Sequence, residues 1–132
     1  MRAVLRADAI LYALFGALLL ASSWERLFDA LDLPSPQPAL WTQVAGALLL
    51  GLAYLLWISP RDVRLTHAVA LVAMAANALA ALIVLAWLLF GELAVGALGT
   101  ALLSTIALTC AAFAVAEARI ASRSVAMLMP QD

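Results

Sequence analysis

The chain is a succession of four long apolar blocks separated by short polar breaks. Over residues 65–116 the only acidic or basic side chains are His67 and Glu92. Such a run suits two passes of about 20 residues each through about 30 Å of hydrocarbon, not a soluble core. The first block is purely apolar only over 9–21, so a span of about 4–23 has to take in its flanks, which places Arg6 and Asp8 at the membrane boundary. Ser22-Ser23-Trp24-Glu25 has capping-box form, with Ser22 as cap and Glu25 three residues later. After it, Trp24, Leu27, Phe28 and Leu31 share one helical face, and Glu25, Arg26, Asp29 and Asp32 the other. That pattern predicts a short amphipathic helix over about 23–33, lying along the membrane surface.

Pro34-Ser35-Pro36-Gln37-Pro38 then predicts a stiff, extended connector, because each proline fixes its own φ and biases its predecessor away from helix. A second span is expected over 39–58. Ser59-Pro60-Arg61-Asp62 again has capping-box form, which starts the third helix near Pro60 and its membrane part, 65–90, near Leu65. Gly91-Glu92 is the one break before a fourth span over about 93–117. The expected fold is therefore an all-α membrane protein of one domain, residues 1–132: four transmembrane helices in an up-down-up-down bundle, with an interfacial helix between the first two.

Composition narrows the functional classes. Of 132 residues, 67% are hydrophobic and 11% charged, and the mean hydropathy is +1.10, so four spans leave no room for a soluble domain. The formal net charge of −1 gives no reason to expect nucleic acid, and the lone Cys110 has no internal disulfide partner. All seven basic residues are arginines near segment ends. With the N-terminus in the cytoplasm, Arg2, Arg6, Arg61, Arg64, Arg119 and Arg123 fall inside and only Arg26 outside, as the positive-inside rule requires. Trp24, Trp41 and Trp87 then mark the outer boundary and Trp57 the inner one. The expectation is a bacterial inner-membrane protein with both termini cytoplasmic. Arg2 and Arg6 ahead of an apolar stretch ending in Ala21-Ser22-Ser23 also have the order of a signal peptide; we read the segment as the first span. The recurrence of Gly-Ala-Leu-Leu-Leu at 16–20 and 46–50 is a short match in an Ala/Leu-rich chain and implies no duplication.

Three groups of residues could carry function. Small residues recur at four-residue intervals: Ala9, Ala13, Ala17 and Ala21, then Ala47 and Gly51, then Gly96, Thr100 and Ser104. Such stripes let helix backbones approach in lipid, so Ala13, Ala17, Gly46, Gly51, Gly96 and Ser104 are expected at helix contacts, within the bundle or against a partner. Asn77, mid-way along the third span, and Thr105 and Thr109 in the fourth are expected to serve as interhelical hydrogen-bonding groups or as part of a ligand site. Asp8, with Tyr12 one turn above it, is expected near the cytoplasmic face beside Arg64, His67 and Glu117, forming a salt-bridged rim or else a proton relay or substrate gate. No phosphate loop, nucleophile elbow, zinc-protease motif or Cys-x-x-Cys occurs, and the single histidine makes no metal motif, so no catalytic residue, metal or cofactor is assigned.

The order DAILYALFGALLL (8–20), amphipathic segment, LPSPQP and a Gly-Ala-Leu-rich second span resembles the uncharacterised small four-helix integral membrane proteins of bacteria. The resemblance covers most of the chain and implies a fold but no activity. Three functions are expected in order: a non-enzymatic accessory or scaffold subunit of an inner-membrane assembly; a small-molecule or lipid-handling transporter acting as a homo-oligomer; and a membrane-embedded isomerase-type enzyme on an apolar substrate. Partners are the lipid bilayer and either other membrane subunits or a second copy.

Overall fold

A computed structural model describes residues 2–33, 39–91 and 95–128, with side chains of the last segment as far as Val125. The proline connector 34–38 and Glu92 lie outside the described residues. Helix α1 (Arg2–Leu20) runs into a 3-10 turn (Ala21–Ser23) and short α2 (Glu25–Ala30). Helix α3 (Ala39–Ile58) is followed by a 3-10 turn (Ser59–Arg61), α4 (Val63–Phe90) and α5 (Ala97–Leu128). Four segments, Arg2–Ser23, Ala39–Arg61, Val63–Phe90 and Ala97–Val125, are long and apolar enough to cross a membrane. The protein is a multi-pass, all-α membrane protein.

Neither capping box forms as the spacing predicts. The turn at Ala21–Ser23 sends the Trp24 N–H to the Ala21 carbonyl, at 2.9 Å, and α2 starts from Trp24 with no side-chain cap. Ser22 is turned inward and buried, its hydroxyl without a partner. Ser23 instead accepts a 2.9 Å hydrogen bond from Gln43 Nε2 on α3. At the other turn the cap is Asp62, not Ser59: it is extended (φ −137°, ψ 131°) and its carboxylate accepts from the Leu65 N–H at 2.9 Å. Ser59 folds back onto α3, donating to the Leu56 carbonyl at 3.1 Å, while the Thr66 hydroxyl donates to the Ser59 carbonyl at 2.7 Å. These bonds satisfy the backbone at the α3–α4 turn, where Ser59 and Thr66 are buried.

Burial is distributed as lipid demands. Half of the buried apolar positions are alanine, namely Ala9, Ala53, Ala70, Ala73, Ala81, Ala107 and Ala121, whereas Leu14, Leu48, Leu82, Leu89 and all four tryptophans point outward. Hydrocarbon solvates large aliphatic side chains as well as a core would, so small residues that bring backbones together occupy the interior. A close backbone approach joins α1 to α3: a Cβ added to Gly16 would stand 2.8 Å from the Gly46 carbonyl oxygen, and one on Gly46 would stand 2.7 Å from the Gly16 oxygen. Helices α1 and α3 thus form one closely packed pair and α4 and α5 a second, with sparser contact between the pairs. Arg6 stacks on Trp57 across the first pair, its guanidinium carbon 5.4 Å from the ring centre.

The start of α5 is set by α2. Asp32, just beyond α2, adopts φ +56°, a left-handed conformation that aspartate tolerates better than most residues. It lies against Gly96 and Gly99, where any Cβ would run into it. Gly96 is small because Asp32 occupies the space in front of it, which is a different reason from the helix–helix stripe expected there.

An intramembrane polar cluster beneath an apolar cavity

Sequence alone sets Asp8 and Glu117 at the membrane edge with His67, and Asn77 at mid-span. The structure places Asp8, Asn77 and Glu117 together, each almost fully buried. Asn77 Nδ2 donates to Asp8 Oδ2 at 3.2 Å and to Glu117 Oε2 at 3.0 Å. An amide nitrogen has two protons to give, and each goes to a different carboxyl, so one side chain of α4 links α1 to α5. The orientation of the amide follows from chemistry, since turning it over would aim its oxygen at two acceptors. The remaining oxygens, Asp8 Oδ1 and Glu117 Oε1, are buried without a hydrogen-bond partner. Among the described residues neither carboxyl has a basic partner, so the expected salt-bridged rim does not form. The three groups span the junction between the two helix pairs, where contact is otherwise sparse.

Above this cluster a half-open cavity of about 360 Å³ lies between the helices. Tyr12, Asn77 and Cys110 border it at the cluster end, Phe15, Leu49 and Leu103 form part of its walls, and Phe28 and Leu33 border it from the α2 side. Every long helix contributes, so the cavity, like the cluster, belongs to both pairs. A site of this kind is apolar along its length with a few polar atoms at one end, which suits a small, mostly apolar molecule carrying one polar group. The sequence reading sent Phe28 toward the membrane surface, but it is 5% exposed and reaches into the bundle. No spacing rule would have found it, because an apolar face on a six-residue helix fits lipid and protein equally well.

The other singled-out residues lie elsewhere. His67 is half-buried and its Nδ1 is 3.1 Å from the Ala121 carbonyl oxygen; it sits about 15 Å from Asn77 along α4, at 1.5 Å per residue. Arg64 is exposed. Thr105 and Thr109 each donate to the carbonyl four residues earlier, at 2.8 Å, and take no part in the cluster. Ala13 packs against the core and Ser104 is half-buried, whereas Ala17 and Gly51 are exposed, and a Cβ on Gly51 would meet nothing within 4 Å. Sequence reasoning passed over Thr66 and Ser124 and took Ser59 for a helix cap; all three are buried and hydrogen-bonded to backbone carbonyls.

Among the described residues no group of three or more His, Cys, Asp or Glu side chains could hold a metal ion. No family model, curated protein or solved structure matches the chain.

Proposed function

We propose that this chain binds and moves a small, mostly apolar molecule within the membrane, taking it into the cavity with its polar group against Tyr12 and Asn77. The observation that carries this reading is the cavity itself, closed at one end by a buried polar cluster. Intramembrane ionisable groups are costly and are retained mainly where they act on a substrate, ion or proton. The alternative of an accessory subunit draws its support from an interior nearly free of charge, and two buried carboxyls weaken that support. Four helices enclose little volume, so a homo-oligomer in the inner membrane suits a transport role.

In this reading the bundle runs up-down-up-down with both termini in the cytoplasm and α2 along the outer surface, in keeping with six of seven arginines on the inner side. Reporter fusions should be active in the cytoplasm after Arg123 and outside after Arg26; the reverse pattern sinks the orientation. The ligand is tested by filling its place. Native mass spectrometry after mild extraction should show the wild-type chain with a bound small molecule or lipid, and Ala80→Trp, on the cavity wall, should lose that adduct at unchanged helicity. A wild-type chain that carries nothing, or a variant that keeps the same adduct, refutes the cavity as the site.

A further inference from the structure

Asp8 Oδ1 and Glu117 Oε1 face the same buried junction without partners, and Asn77 can give each carboxyl only one hydrogen bond. Both carboxyls are held on one nitrogen, at 3.2 Å and 3.0 Å, so the two are close neighbours. Two carboxylate oxygens can share a hydrogen bond only through a proton. Without that proton, two like charges would stand side by side in low dielectric with a single amide between them.

A cleft lies between this junction and the polar end of the bundle, bordered by sequence neighbours of the two carboxyls and not by the carboxyls themselves. Val4, one turn before Asp8, and Ala116, next to Glu117, line a space of about 220 Å³ that continues to Arg119 and Arg123. Both arginines are exposed. The cleft follows the seam between α1 and α5, which touch only sparsely.

We propose that Asp8 and Glu117 form an exchangeable proton-binding site at the seam between the α1–α3 and α4–α5 pairs, with Asn77 holding the two carboxyls in register. The proton binds between the carboxyls, reached from the side of the Val4–Ala116 cleft when the sparse α1–α5 seam loosens; its release leaves two anions that repel across the seam. Because the cavity is walled by both pairs, occupancy of this site sets how tightly the cavity is closed. The titratable side chains near the pair are Tyr12 on α1 and Cys110 on α5. Helix α4 contributes the non-titrating Asn77, with His67 about 15 Å away, and the one ionisable side chain of α3, Tyr54, is exposed. The site stands independently of the cavity ligand and is tested without it.

Dicyclohexylcarbodiimide, an apolar reagent, adds to protonated carboxyls inside membranes. The acid proton passes to a carbodiimide nitrogen, the carboxyl oxygen bonds to the central carbon, and the acyl group then shifts to nitrogen, giving a stable acylurea with no leaving group. The full chain in detergent micelles, treated across a pH series and analysed by peptide mass spectrometry, should carry the adduct on Asp8 or Glu117 and not on exposed Asp29 or Asp62. Once the site is mostly deprotonated, labelling should fall about tenfold per pH unit, and replacing sodium by choline at fixed pH should leave it unchanged. Glu117→Gln, which keeps the shape of the side chain, should retain the fold and alter the pH dependence of labelling at Asp8. Absence of adduct at both positions at every pH overturns the proposal, as does protection by sodium at constant pH, which would assign the site to a metal cation.

Discussion

Asn77→Leu is expected to lower the stability of the bundle by about 3–5 kcal/mol, the usual result of removing one partner from a buried polar network and leaving charged or polar groups behind. Leucine has the branched outline of asparagine and is the larger side chain, so no cavity forms. What changes is hydrogen bonding: both N–H donors vanish, and Asp8 and Glu117 keep their burial but lose the amide that donates to each of them. The measurement is unfolding in mixed detergent micelles, followed by helicity. The informative comparison is the triple variant Asp8→Leu, Asn77→Leu, Glu117→Leu. Replacing a whole buried polar network by apolar groups is often neutral or stabilising, so the triple variant should equal or exceed the wild type. That result would mean the chain keeps the cluster despite its cost, as expected of a functional site and not of structural glue. A single variant as stable as the wild type would instead show that the three side chains do not act together.

The span count was legible from the sequence because hydrophobic block length is a direct physical constraint in lipid. The fourth helix shows where that logic stops. Glu117 reads as a terminus because an unpaired carboxylate belongs at the interface, and the expected span ends there; α5 instead continues to Leu128. Glu117 is accommodated inside the bundle with Asn77, 40 positions earlier, as its donor, and Asp8 is a further 69 positions from Asn77. No periodicity links residues so far apart. Asn77 itself was legible, since a lone amide at mid-span must face a partner, but the identity of that partner was not. Thr105 and Thr109 mislead for the opposite reason: a hydroxyl can satisfy itself on its own helix at the i−4 carbonyl, so polarity at mid-span does not by itself fix which way a residue points.

Gly46→Leu should be the most damaging single change in the α1–α3 pair. A Cβ at Gly46 would stand 2.7 Å from the Gly16 carbonyl oxygen and 3.0 Å from the Leu20 backbone nitrogen, and backbone cannot step aside as a flexible side chain does. Overpacking ordinarily costs about 1–3 kcal/mol, and a clash with rigid backbone belongs at or above the top of that range. Gly51→Leu is the control within the same helix: the same leucine, five residues on, meets nothing within 4 Å and should leave the melting temperature unchanged. The pair matters because α1 carries Asp8 and Tyr12, and Gly16 lies about 6 Å beyond Tyr12 along the axis at 1.5 Å per residue. If the closely packed pair holds Asp8 against Asn77, Gly46→Leu should also abolish carbodiimide labelling of Asp8 in whatever fraction stays folded, while Gly51→Leu leaves it intact. Labelling that survives the loss of the Gly16–Gly46 crossing would show that α1 is positioned by the polar cluster itself and not by its packing on α3.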